Sequence, residues 1–142
     1  MPTEKNMQKP ILIDTAFVLA LINRRDQHHQ NALFHSKQFD GYPLLVTDAV
    51  LLEIGNALVH EYKKESIKII EQFFDSEEIE IVHLTPKLFN QAFELYKNYE
   101  DKAWGLVDCI SFIVMWETGM TQALTFDQHF VQAGFQALMR DL

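Results

Sequence analysis

The chain has 142 residues, 48% of them hydrophobic and 11 of them Phe, with a formal charge of −8 and one cysteine. This length and composition predict one packed domain rather than disorder, no apolar run approaches the ~18 residues of a membrane span, and the start of the chain has no signal-like apolar segment. A lone Cys109 can form neither an internal disulfide nor a multi-cysteine metal site, and the acidic balance disfavours a nucleic-acid binder unless bound cations reverse the charge where a phosphate docks.

Residues 1–10 read as a polar tail ending in Pro10, and residues 11–142 as a single domain of a cytoplasmic protein with no membrane partner. Ile11, Leu12 and Ile13 are apolar without alternation, which predicts a central parallel strand, closed by Asp14. A helix over 16–22 follows, then a polar break at Arg24, Arg25 and Asp26, and a second helix near 28–39 that stops before the turn at Gly41 and Pro43. Leu44, Leu45 and Val46 predict a second strand, with Thr47 or Asp48 capping a helix to about Glu61 that carries Glu53. A more polar helix is expected over 63–74 and a third strand from Ile79 to Val82. Thr85 followed by Pro86 opens a helix to about Tyr99. The loop 100–105 leads into an apolar helix that stops at Gly119. Ala123 and Leu124 predict a fourth strand, Asp127 opens a short helix, and 135–139 predicts a fifth strand.

Strands alternating with helices imply a parallel sheet with right-handed crossovers and helices on both faces. Ligands in such sheets bind beyond the carboxyl ends of the strands. Asp14 ends the first strand, Asp127 lies just beyond the fourth, Glu53 rides on the helix leaving the second, and Asp108 is near the start of the helix that feeds the fourth. All four acids meet at one edge if the first strand lies between the second and the fourth. Asp108 is the most telling, because in LVDCISFIVMW only Asp108 and Ser111 are polar, and they share a helical face. An unpaired carboxylate there costs several kcal/mol unless a cation, a proton or a crevice relieves it. An oxygen-only set suits hard cations such as Mg²⁺ or Mn²⁺, which bind phosphate oxygens and activate water.

Simpler readings stand beside these. Asp14 and Asp127 can each cap the helix that follows, and Glu53 can be a solvated helix residue. The histidines show no zinc spacing and are expected at the surface or rim, with His129, two residues past Asp127, within reach of the crevice. Lys102 and Trp104 precede the Asp108 helix and could meet phosphate and stack a base, unless Trp104 packs into the fold. Arg24 and Arg25 are further candidate phosphate contacts. Phe73, Phe74, Phe89, Phe93 and Tyr96 read as core or dimer surface, and Cys109 as core.

The segments ILIDTAFVLALI, LLEIGNAL and WGLVDCISFIVMWETGMTQALTFDQHF together resemble the PIN-domain ribonucleases, in particular the VapC-type toxins of toxin–antitoxin pairs. The resemblance implies a three-layer α/β/α fold with a parallel five-stranded sheet in the order 3-2-1-4-5. It also implies an Mg²⁺- or Mn²⁺-dependent endoribonuclease, an RNA substrate, an antitoxin partner and a homodimer. Asp14 and Asp108 correspond to the main metal ligands and Glu53 and Asp127 to ligands direct or through water. Thr15, Thr125, Asn56 and Ser111 stand as supporting residues. Two neighbouring alternatives are a PIN-type RNA-processing nuclease without an antitoxin and a non-catalytic binding module. A phosphoacceptor receiver domain fits less well, since Asp14 is followed by Thr15 and no lysine lies beyond Lys102.

Overall fold

A computed structural model describes residues 8–140; residues 1–7 of the expected tail and residues 141–142 of the expected domain lie outside the described residues. The elements run β1 (Ile11–Ile13), α1 (Thr15–Ile22), α2 (His29–Gln38), β2 (Leu44–Thr47), α3 (Asp48–Leu58), α4 (Lys63–Asp75), β3 (Ile79–Val82), α5 (Pro86–Asn98), α6 (Leu106–Thr118), β4 (Gln122–Leu124), α7 (Gln128–Gln132) and β5 (Gln136–Ala137). The strands form one parallel sheet in the order β3-β2-β1-β4-β5. In the centre, Leu12 pairs with Leu45 on one side and Ala123 on the other.

The missing alternation in β1 has its cause in the layers. Ile11, Ile13, Val46 and Leu124 pack into a core with α1 to α4, whereas Leu12, Leu45 and Ala123 pack into a second core with α5, α6 and α7. A strand apolar on both faces fits only between two such layers. The result is the expected three-layer PIN-like α/β/α sandwich. Among the described residues no helix is long and apolar enough to cross a membrane.

Local chemistry sets the helix ends. Thr47, not Asp48, caps α3 by accepting the Val50 N–H at 3.2 Å, and Thr85 caps α5 by accepting the Leu88 N–H at 3.1 Å, with Pro86 in the first turn. Asp48 instead accepts the Leu84 N–H, tying the exits of β2 and β3 together. Gly119 ends α6 in the left-handed region at φ 71°, a conformation that glycine adopts without strain.

The fifth strand is shorter than 135–139. Only Gln136–Ala137 pair with β4, and Leu138–Arg140 form a 3₁₀ turn. The Met139 N–H donates to the Thr125 carbonyl at 3.1 Å and Asn31 Nδ2 donates to the Met139 carbonyl at 2.7 Å. The chain thus folds back over the end of β4 and buries Leu138 and Met139 beside α1 to α4 rather than continuing the ladder.

Phe112 joins the two helices that matter most to the site. It is fully buried in α6 and meets Phe130 of α7 edge-on, with ring centroids 5.0 Å apart, while also contacting Trp104 and Phe135. Phe112→Ala is therefore expected to lower the unfolding free energy by about 3–5 kcal/mol in a urea titration. A loss below about 1 kcal/mol, the cost of a surface change, would show that the contact does not brace α6 against α7.

Candidate active site

The sheet order reverses between β1 and β4, and beyond the carboxyl ends of strands at such a point is where open parallel sheets bind ligands. Asp14 follows β1 directly, and its backbone N–H still donates to the Leu124 carbonyl of β4 at 3.3 Å. Its side chain is only about 5% exposed. Although Asp14 occupies the N-cap position of α1, its carboxylate makes no capping bond. Its Oδ2 instead accepts the Thr125 hydroxyl at 2.8 Å. The same Thr125 oxygen accepts the Asp127 N–H at 3.0 Å, so one buried hydroxyl fixes both the side chain of Asp14 and the backbone that leads into Asp127.

Asp108 reaches this edge of the sheet from the third residue of α6. Its Oδ2 accepts the Gly105 N–H at 3.1 Å, so it closes the first turn of the helix and faces the acids at once. Asp127 caps α7 by accepting the His129 N–H at 2.9 Å. The His129 ring then turns back, placing Nδ1 3.2 Å from Asp108 Oδ2 and 3.3 Å from Asp127 Oδ1. Ligand atoms of Asp108, Asp127 and His129 all lie within 4.8 Å of one another. Asp14 and Glu53 stand outside this tight group; Glu53 is exposed on α3 and tethered by the Thr15 hydroxyl, which donates to Oε1 at 2.6 Å.

The electrostatics match the crowding. Burial pushes the Asp14 carboxyl up from 3.8 to about 7, and the charges of Asp108 and Asp127 push the same way, against the hydrogen bonds from Thr125 and the Thr15 N–H. Asp108 is also raised, by burial first and then by Asp127, with the Gly105 N–H and His129 opposing. Cys109, next to Asp108 but buried, is pushed up to about 11, which keeps it a thiol.

The remaining expected residues divide. Ser111 is fully buried, and its hydroxyl makes no hydrogen bond to the acids. Asn56 is exposed one turn past Glu53. Trp104 forms part of the wall of a groove before α6 but is 6% exposed, packs against Phe112 and donates Nε1–H to Gln132 Oε1 at 3.0 Å, which leaves little of the ring for a base. Two exposed aromatics stand at that place, Tyr96 and Tyr99, and Tyr99 lies on Trp104 at 5.0 Å between centroids. Tyr99 lines this groove of about 550 Å³ with Tyr96, Lys97, Glu100, Lys102 and Gly105, and Lys97 is paired with Glu94 at 2.9 Å. Lys102 lies 3.6 Å from Asp101. Arg25 is paired with Glu61 and Arg24 borders Tyr62 and Glu65; neither touches the acids. His35, expected at the surface, is buried on Phe39 with Nδ1–H donating to the Asn31 carbonyl at 2.9 Å. His129 and Tyr99 are the residues that sequence reasoning undervalued. The Asp-x-His spacing at a helix start is the signal for the first, because the first turn folds such a side chain back toward its cap.

The raised Asp14 pKa carries a pH dependence. In protein stripped of divalent ions the folded state binds more protons than the unfolded state between about pH 4 and pH 7, so stability is highest below this window and falls as pH rises through it. Wild-type protein in chelator is expected to lose on the order of a few kcal/mol relative to Asp14→Asn from pH 4.5 to pH 7.5. Urea midpoints of the two proteins that run parallel across this range would refute it.

A family model described as PIN domain matches residues 11–136. The 23S rRNA-specific endonuclease VapC20 of Mycobacterium tuberculosis, in strains CDC 1551 / Oshkosh and ATCC 25618 / H37Rv, is 31% identical over 128 residues, spanning 88% of this chain and 95% of the relative. The crystal structure of M. tuberculosis VapC20, described as a Sarcin-Ricin loop cleaving toxin, overlays with a TM-score of 0.77 at 28% identity, covering 89% of this chain and 96% of that one. With a match across most of its length, a parallel 3-2-1-4-5 sheet and its acids at the switch point, the chain belongs to the PIN-domain family.

Proposed function

We propose that this chain is a metal-dependent endoribonuclease that hydrolyses RNA phosphodiester bonds, the toxin of a toxin–antitoxin pair, with residues 11–142 as one nuclease domain. The observation that carries the reading is the clustering of Asp108 and Asp127 ligand atoms, with Asp14 desolvated nearby and its carboxyl raised by the charges of both. Such a set is costly alone and becomes favourable around a cation. Its donors are mostly hard carboxylate oxygens, which fits Mg²⁺ or Mn²⁺. The 23S rRNA specificity of the VapC20 relative supports structured ribosomal RNA as the substrate class, and its naming as a toxin supports an antitoxin partner, a cytoplasmic place of action and the homodimer expected of its kind.

On this reading Asp14, Asp108 and Asp127 hold the ion, and Glu53 holds water or a second ion from the rim. The bound ion supplies an activated water and offsets charge on the attacked phosphate. The Thr125 hydroxyl keeps Asp14 Oδ2 from turning away, and the Thr15 hydroxyl does the same for Glu53. The groove lined by Tyr99, Lys97 and Lys102 adjoins Gly105, whose N–H anchors Asp108, so an RNA strand lying in it would reach the acids. Tyr99 offers a ring for stacking a base and the lysines meet phosphates.

Cleavage of a 23S rRNA hairpin carrying the sarcin–ricin loop is the direct test. Asp108→Asn is expected to lower the rate by about 10³-fold or more while the fold persists by circular dichroism, and EDTA is expected to stop wild-type cleavage, with Mn²⁺ restoring it. Wild-type rates retained in Asp108→Asn or in excess chelator would overturn the proposal. Thr125→Val, which removes only the positioning hydroxyl, is expected to cost about 10–100-fold. For the groove, Tyr99→Ala is expected to raise KM about tenfold or more with little change in kcat, and an unchanged KM would remove Tyr99 from the substrate path.

A further inference from the structure

The nitrogen facing this carboxylate cluster has a geometry of its own. His129 Nδ1 stands 3.2 Å from Asp108 Oδ2 and 3.3 Å from Asp127 Oδ1. The first contact is a hydrogen bond, longer than the ~2.7–2.9 Å of a charge-assisted N–H···O⁻ bond, and a single Nδ1–H can point well at only one of the two oxygens. A six-coordinate ion with ligands about 2.1 Å away sets adjacent ligand atoms about 3.0 Å apart, close to both observed separations. The backbone that carries the ring is also held on both sides. Asp127 accepts the His129 backbone N–H, and Phe130, the next residue, is fully buried against Phe112. The side chains of His129 and Asp108 are only 21% and 19% exposed, so water competes poorly for the space between them.

We propose that His129 is itself a metal ligand of this site through Nδ1, making the coordinating set Asp108, Asp127 and His129 with Asp14 alongside. The proposal rests on the metal-site reading above and goes beyond its acids-only ligand set. One imidazole nitrogen among carboxylates favours a transition-metal ion, so the site is biased toward Mn²⁺ over Mg²⁺.

The test uses the full chain and Mn²⁺ alone, without RNA. Pulsed electron paramagnetic resonance of bound Mn²⁺ is expected to show the coupling of a directly bound ¹⁴N in wild-type protein and to lose it in His129→Gln, with Mn²⁺ affinity falling about tenfold or more and Mg²⁺ affinity changing less than about threefold. His129→Phe, which keeps the ring volume, guards against a packing defect and is expected to give the same loss, with folding verified for both variants by thermal melts. Mn²⁺ bound by wild-type protein without nitrogen coupling, or coupling that persists in His129→Gln, would overturn the ligand assignment and leave the carboxylate site standing. Failure of wild-type protein to bind Mn²⁺ at all would overturn the underlying metal-site reading instead, and the ligand assignment with it.

Discussion

The carboxylate of Asp14 is held out of water while the charges of two further carboxylates act against it, and the rest of the molecule is arranged around that unfavourable placement. A charge so placed loses hydration that the local hydrogen bonds only partly return. What keeps it there is position in the chain. Asp14 is the residue after a central strand whose three apolar side chains are locked between two helical layers, so the backbone cannot carry it to the surface without dismantling both cores. Thr125 then removes the remaining freedom of the side chain, and because its one oxygen both donates to Asp14 and accepts from Asp127 N–H, the two acids are fixed relative to each other. The site is thus a local destabilisation sustained by packing elsewhere, which is the arrangement expected of groups positioned for chemistry rather than for stability.

The supports differ in stiffness, and that sorts the acids. Asp14 and Asp127 leave adjacent central strands, and Asp108 and His129 stand on α6 and α7, which Phe112 and Phe130 bind together. These four belong to one rigid body made from the sheet and a single helical layer. Glu53 comes from the other layer, on the exposed side of α3, and the Thr15 hydroxyl links it to the site. Exposed to water, a carboxylate tethered by one hydrogen bond can reorient at little cost, whereas Asp14 is buried and Asp108 and Asp127 are each bonded to a helix start. Glu53 is therefore suited to a partner that changes during a reaction cycle, such as water or a second ion, and the rigid trio to one that stays.

Much of this is legible in the residues because the constraints are local. An apolar run without alternation means a strand buried on both faces, Thr85 followed by Pro86 fixes a helix start, and a carboxylate in LVDCISFIVMW must have a purpose. Strand order and the convergence of acids follow once β1 is known to be central. What local pattern does not carry is tertiary competition. The segment 135–139 has strand-like composition, yet the free Thr125 carbonyl and Asn31 amide draw Met139 into a turn. Trp104 and Tyr99 are both aromatics in the approach to α6, and only the shape of the core decides which ring is swallowed and which faces outward. His35 lies on a polar-looking helix, and its burial depends on Phe39 and the Asn31 carbonyl rather than on hydrophobic periodicity.

The overall charge of −8 bears on how an RNA would be recognised. A strongly acidic surface gives a polyanion no long-range pull, so association on the nuclease reading cannot depend on the broad electrostatic attraction that basic nucleic-acid binders use. Recognition has to come from short-range features: a cation held by Asp14, Asp108 and Asp127, one or two lysines of the adjoining groove, and the exposed ring of Tyr99. Few phosphate contacts mean few released counterions, and weak background binding to RNA in general. Discrimination then falls on the shape of the strand that can enter the groove and on the base that can lie against Tyr99. On the nuclease reading, selectivity rests on these short-range contacts, because the net charge attracts RNA so little.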